Sequence, residues 1–245
     1  MKTYTYLLSI LFAILMSCSS GDSLNSSTSQ DVLIKRIISS EGWSETFSYD
    51  GNKLIKIAFD DGTSRLVTYS GNYIIKTEIR DAGNTFRGEY ETFSYLNNRV
   101  SQHKSYYNNI IVYQDDYSYN SDGTIITITG KNYNSSGVLS STSNKRQYID
   151  SNGSLTKTEI LNSSNVITQA DSFTYDVKNG VYKNILGFSA VPSMMMGKFN
   201  LVSHISPYIN VVYNYQYNNQ NYPISSTETT RVGNSNRVVS YQYLY

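Results

Sequence analysis

Phe47-Ser48-Tyr49-Asp50-Gly51-Asn52-Lys53-Leu54-Ile55-Lys56-Ile57 reads as a β-hairpin. An aromatic-Ser-Tyr run enters an Asp-Gly-Asn turn, and branched apolar residues alternating with lysine leave it. Gly and Asn supply the positive φ that tight hairpin turns require. With Asp50 to Asn52 as the loop, Trp43, Phe47, Tyr49, Ile55, Ile57 and Phe59 share one face, because a strand alternates its side chains with a period of two. With Asp50-Gly51 alone as the loop, Ile55 and Ile57 fall on the opposite face from Phe47, since a slip of one residue flips every side chain. The three-residue loop is therefore expected.

The unit recurs at Val67-Thr68-Tyr69, Phe93-Ser94-Tyr95, Tyr117-Ser118-Tyr119, Phe173-Thr174-Tyr175, Tyr215-Gln216-Tyr217 and Tyr241-Gln242-Tyr243, with Gln147-Tyr148-Ile149 as a weaker copy. A loop over 70–72 aligns Val67, Tyr69, Tyr73 and Ile75. A loop over 120–123 brings Tyr117, Tyr119, Ile126 and Ile128 together. Ser, Thr, Lys and Glu occupy the other face. The pattern predicts an all-β fold, an antiparallel meander of repeated hairpins forming one large curved sheet with one apolar and one solvated face. Its last edge strand is expected over 238–245.

Composition supports this reading. The chain has 24 Tyr and only 3 Pro in 245 residues, and Tyr, Thr, Val and Ile suit a half-buried pleated surface. The formal net charge is +1, with no basic run longer than the pair Lys145-Arg146. A near-neutral chain lacks the clustered positive surface that nucleic acid requires. The single Cys excludes an intramolecular disulfide framework and a Cys-rich metal site.

The period breaks over 184–210, where 42 residues separate Tyr175 from Tyr217. Ser189 is positioned to cap a short helix through Met196, with Gly197 as its stop. A sheet with one apolar face needs a cover, and this helix/loop insertion is the expected one. The second reading is a ligand gate, since Met194, Met195 and Met196 pack adaptably at binding surfaces.

Residues 1–17 have a positive start and an apolar run from Leu7 to Met16, too short to cross a bilayer as a helix and of signal-peptide dimensions. The run ends in Leu15-Met16-Ser17-Cys18, which resembles a bacterial lipobox. That resemblance implies acylation of Cys18, and several acyl chains on one residue anchor stably. Residues 18–30 would then be a lipidated polar tether, and 31–245 a single β domain. In lipoproteins of Bacteroidota an acidic cluster after the Cys accompanies surface export; here Asp22 alone stands in that window.

The Tyr-Asp-Gly of 49–51 and the Tyr-Asp of 175–176 resemble YD-type repeats of bacterial surface proteins. Lipobox, Ser-rich tether, Tyr-rich hairpins and late apolar insertion together resemble an uncharacterised Bacteroidota lipoprotein family with a domain of unknown function. The resemblance implies an outer-membrane lipoprotein facing the periplasm or the exterior.

Reaction chemistry is not written in the chain. Neither a Gly-x-Ser-x-Gly elbow nor a phosphate-binding loop occurs. The two histidines, His103 and His204, are too few for a zinc site without suitably spaced carboxylates; His103 reads as a surface side chain and His204 as buried or capping. No catalytic, cofactor-binding or metal-binding residue is assigned. The expectation is a non-enzymatic, membrane-anchored envelope lipoprotein without a cofactor, acting as a binding or interaction module. Alternatives are a half-barrel carrier of an apolar ligand, which needs a hollow apolar pocket beneath the insertion, and a surface glycan binder, which needs coplanar exposed aromatics. Its partners would be the membrane, through Cys18, and a glycan, lipid or protein ligand.

Overall fold

The computed structural model describes residues 31–191 and 198–245. Sixteen strands follow one another: β1 (Arg36–Ser39), β2 (Ser44–Asp50), β3 (Lys53–Phe59), β4 (Ser64–Ser70), β5 (Tyr73–Arg80), β6 (Phe86–Leu96), β7 (Arg99–Tyr107) and β8 (Ile110–Tyr119). The second half contains β9 (Ile125–Tyr133), β10 (Leu139–Ile149), β11 (Leu155–Leu161), β12 (Ile167–Tyr175), β13 (Leu201–Ile205), β14 (Asn210–Tyr217), β15 (Pro223–Val232) and β16 (Ser235–Leu244). Each pairs antiparallel with its sequence neighbours, and β16 also pairs with β1, Tyr243 opposite Ile37. The meander expected from the sequence is present, but it closes into a barrel instead of remaining a curved open sheet. The edge strand expected over 238–245 is the closing strand. Closure removes the two rows of unpaired backbone groups that an open meander would expose.

The first hairpin departs from its expected register in an informative way. Its loop is Gly51-Asn52, with Asp50 opposite Lys53 and Tyr49 opposite Leu54; a β-bulge then inserts Ile55, so that Ser48 faces Lys56 and Phe47 faces Ile57. Leu54 is therefore fully buried beside Tyr49, and Ile55 is 42% exposed. β4 and β5 repeat the device: Tyr69 faces Ile74, with the bulge between Thr68 and Tyr69. β6 and β7 do so between Ser94 and Tyr95. A bulge bends its strand and strengthens its twist, and here it recurs one residue before the last Tyr of the unit. The hairpin of β8 and β9 lacks it; Tyr117, Tyr119, Ile126 and Ile128 share a face as expected, but the loop spans 120–124 rather than 120–123, so Tyr117 faces Ile128 and Tyr119 faces Ile126.

One face of the wall turns inward. Ile37, Phe47, Leu54, Ile74, Phe93 and Val100 form a buried core, and complete burial of each large aliphatic side chain contributes about 1.5–3 kcal/mol. Tyr49, Tyr69 and Tyr95 pack around it. Their hydroxyls donate to carbonyls nearby: Tyr49 to Ile34 at 2.7 Å, Tyr95 to Ile74 at 2.7 Å, and Tyr69 to Leu186 at 3.1 Å. Tyr119 likewise donates to Val100 at 2.9 Å. Tyr gives this fold a large apolar ring for the lumen and a donor that satisfies a partly buried carbonyl, which accounts for its abundance.

The outward face is polar. Thr46 and Ser48 alternate with Phe47 on β2, and Gln102 and Lys104 flank His103 on β7. Ion pairs cross this outer wall at Lys76–Glu78 (2.6 Å), Lys131–Asp116 (2.7 Å) and Lys157–Glu159 (2.6 Å). Glu159 is roofed by Arg146, Lys157 and Tyr148, which donates to it at 2.8 Å.

The interruption lies earlier in the chain than expected. Residues 201–205 and 210–217 are strands of the wall, so the inserted segment spans 176–200. Its described residues contain one 3₁₀ turn, Phe188–Ala190, followed by extended backbone at Val191. The expected helix from Ser189 thus has only this turn among the described residues; Met194, Met195 and Met196 lie outside them, as do the leader, Cys18 and the tether.

Candidate functional site

The segment 176–191 lies across one rim of the barrel. Leu186 donates its backbone N–H to the Asn52 carbonyl, and Asn179 donates to Asn221. Asn184 reaches the Val32 carbonyl and the Tyr222 hydroxyl, at 3.0 and 2.8 Å. Later in the inserted segment, Lys198 Nζ reaches the Asn152 carbonyl at 3.2 Å. Hairpin turns from both halves of the chain are thus tied to one lid. Ile185, Phe188 and Val191 are buried in the same core as Phe47 and Ile74. The lid covers apolar residues, as expected, and over Phe47, Leu54 and Ile74 the space beneath it is filled by the protein's own side chains.

Farther from the lid the lumen becomes polar. The residue two positions before the start of a unit points inward, and in six of the eight copies it is charged: Glu45, Arg65, Glu91, Asp115, Lys145 and Asp171; in the last two it is Tyr213 and Val239. The sequence reading missed these residues. The available signal was a charged residue at a fixed place on the otherwise apolar face.

Several are engaged by neighbours. Glu91 accepts from Thr77 Oγ1 at 2.9 Å and stands 3.5 Å from His103 Nε2. The His103 contact holds its carboxyl below the usual range, against the opposing effect of burial. Asp115 accepts from Tyr113 at 2.5 Å and from Tyr117 at 3.3 Å; burial and this carboxylate push both phenols up. Gly130 makes the room: a Cβ there would lie 2.7 Å from Ser143 Oγ and 3.0 Å from the Tyr113 hydroxyl.

His103 is not on the surface. It stacks on Phe93 with ring centroids 5.0 Å apart, and its side chain is 13% exposed. The correction has a simple cause: β7 places His103 opposite Phe93 on the inward face. His204 belongs to β13 rather than to the insertion. It stacks on Phe173 at 4.6 Å and faces Asp171 Oδ2 at 3.4 Å. Ser105 Oγ lies 3.5 Å from His103, but on Nε2, the nitrogen that also faces Glu91. A nucleophile–base–acid relay needs the two ring nitrogens to serve different partners, and this arrangement does not provide that. Among the described residues, no group of three or more His, Cys, Asp or Glu side chains is placed to hold a metal ion.

A cavity of about 290 Å³ opens between the lid and the inner wall. Trp43, Tyr182, Tyr213, Tyr215, Tyr241 and Tyr243 line it, with Glu45 and Glu228 among them. Glu228 accepts from Tyr241 at 3.0 Å and from Thr230 at 2.8 Å. Burial pushes the Glu45 carboxyl up, opposed by the charge of Arg65. A second space of about 410 Å³ shares Trp43 and Glu45 with it and extends toward the turn at Asp60-Asp61, on the rim opposite the lid. That opposite rim carries exposed apolar residues at successive turns, including Ile110, Val138, Val166 and Ile209.

No family model matches the chain, and no curated protein matches it. Among solved structures, the fold is similar to that of a porin-like protein from Bacteroides vulgatus ATCC 8482, with a TM-score of 0.54 and 14% identity over 87% of this chain and 99% of that one. A porin-like protein from Bacteroides uniformis ATCC 8492 is more distant, with a TM-score of 0.39 and 15% identity over 82% of this chain and 76% of that one. The first of these likenesses supports the barrel architecture.

Proposed function

We propose that this chain is a non-enzymatic envelope lipoprotein of Bacteroidota, held at the outer membrane by acyl chains on Cys18, whose barrel stands in water as a binding module. The observation that carries this reading is the orientation of the wall. A barrel that crosses a bilayer presents an outward apolar band about 25 Å tall. Here the outward positions of the central strands are mainly Thr, Ser, Lys, Glu and Gln, and Phe47, Phe93, Tyr113 and Tyr117 face in, while the outward Tyr90 and Tyr148 sit under Lys76 and Lys157. Burying Lys or Arg in the middle of a bilayer costs about 2–4 kcal/mol per residue, and Lys76, Lys104, Lys131 and Lys157 all stand on this wall. The Bacteroides vulgatus protein is described as porin-like; a pore in this chain would also have to pass the lid and its apolar core. Membrane attachment is therefore assigned to the Leu15-to-Cys18 motif and the tether, and the YD-like hairpins to the wall of the module.

The test is Cys18→Ser. The variant is expected in the soluble fraction, folded and monodisperse without detergent, whereas the wild-type protein stays with the membrane. If the variant also stays with the membrane and resists alkaline extraction, the barrel itself is integrated and the proposal fails.

A further inference from the structure

We propose that the cavity between Trp43, Tyr241, Glu45 and Glu228 is a binding site for a small alkylammonium cation. The inference rests on reading the barrel as an aqueous binding module and names the ligand class that its lumen takes.

Three observations point to a cation. The walls are aromatic, and ring faces carry negative potential that attracts ammonium groups. Two carboxylates, Glu45 and Glu228, join them, and no Lys, Arg or His lines the cavity among the described residues. The rings meet at an angle: Trp43 is tilted 58° to Tyr241, with centroids 5.8 Å apart. Faces set this way enclose a compact cation on several sides, whereas a sugar ring calls for a flat platform. At about 290 Å³ the space lies at the lower end for small-molecule sites. Glu45 also makes no hydrogen bond among the described residues, and the charge that opposes its burial, Arg65, lines the adjoining space and not this cavity. Entry is from the rim opposite the lid, through the adjoining space that shares Trp43 and Glu45.

Trp43 is the only tryptophan in the chain, so its fluorescence reports the site directly. The purified full-length protein, in a non-ionic polyoxyethylene detergent at physiological salt, is titrated with tetramethylammonium, choline, the neutral choline isostere 3,3-dimethylbutan-1-ol, and methyl β-glucoside. Emission and calorimetry are followed together. Both cations are expected to bind and to change Trp43 emission, the neutral isostere to bind at least tenfold more weakly, and the glucoside not to bind. Glu45→Gln and Glu228→Gln should each weaken choline about three- to tenfold, and Trp43→Ala more than tenfold by calorimetry. Circular dichroism and elution volume confirm that each variant is folded.

Equal binding of choline and its neutral isostere overturns the proposal, as does binding of the glucoside alone. Calorimetric binding that leaves Trp43 emission unchanged places the ligand elsewhere and also overturns it. A folded wild-type protein that binds neither cation overturns the ligand class while leaving the fractionation of Cys18→Ser intact, so the two readings fail separately.

Discussion

Tyr95 and Tyr175 hold the same place in two copies of the unit but are bonded differently. The Tyr95 hydroxyl donates to the Ile74 carbonyl at 2.7 Å, whereas the buried Tyr175 hydroxyl meets no partner among the described residues. Tyr95→Phe removes a hydrogen bond and strands a carbonyl, so it should cost about 1 kcal/mol and lower Tm by about 3 °C for a domain of this size. Tyr175→Phe removes a buried hydroxyl that makes no bond, so it should leave stability unchanged or raise it by about 1 kcal/mol. Urea midpoints of the two variants separate the cases. The same phenols predict an alkaline limit. Burial pushes Tyr69, Tyr95 and Tyr175 up to about 12, whereas unfolded tyrosines ionise near 10. The folded state then holds phenolic protons that the unfolded chain releases, so this stability is fully present below pH 10 and lost as pH rises from 10 toward 12. Denaturant midpoints between pH 8 and 12 should fall over that window, and absorbance at 295 nm should show delayed ionisation in the folded protein. At this scale the sequence was partly legible. The Tyr of each unit announced an inward face, because its spacing is local. The charged partner two residues before the first aromatic, as in Glu91-Thr92-Phe93, was overlooked because a charge on an apolar face makes sense only when the lumen it enters is known.

Among the elements, the lid depends on one backbone geometry. Gly187 has φ +83°, and a Cβ there would sit 3.1 Å from the Asn72 carbonyl oxygen and 3.2 Å from Ile74 Cγ1. Gly187→Ala combines left-handed strain with a contact against backbone, and should cost about 1–3 kcal/mol. The loss should concentrate in the lid, so proteolytic cleavage within 176–200 should accelerate more than global unfolding does, as read by limited proteolysis alongside a thermal melt. The hairpins themselves were legible from their turns, but their register was not fully so. Asp50-Gly51-Asn52 reads as a three-residue loop because Ile57 has to share a face with Phe47, and that loop would set Ile55 opposite Phe47. The structure brings Ile57 opposite Phe47 with a two-residue loop and a bulge at Ile55. Both solutions put Phe47 and Ile57 on one face, but the bulge turns Ile55 out and buries Leu54. The alternation of apolar residues and lysine is equally good for either, since both neighbours are branched and apolar.

At the scale of the whole molecule, closure was the feature the sequence concealed. Local pattern specifies which strands pair in succession; whether the first meets the last depends on twist summed over sixteen strands and on the bulges that bend them. Nothing in Ile37-Ile38-Ser39 names Tyr241-Gln242-Tyr243 as its neighbour, yet Ser39 faces Tyr241 and Ile37 faces Tyr243. The closing contact is also held by Glu41 and Arg237, bonded across the seam, and by Trp43 packed on Tyr241. Closure should therefore be a condition of stability rather than a consequence of it. Ending the chain after Gly233 removes β16, uncovers the edges of β1 and β15 together, and takes Val239, Tyr241 and Tyr243 out of the lumen. An exposed edge of this length pairs readily with another chain, so the truncated protein should elute as soluble aggregate and lose its cooperative melt. Glu41→Gln in the intact chain breaks only an exposed ion pair, which solvent and salt screen, and should remain monomeric with a nearly unchanged Tm. Light scattering and calorimetry on the two proteins decide the matter. A truncated chain that stays monomeric and melts cooperatively near the wild-type temperature would mean that the open meander is stable by itself and that closure adds little.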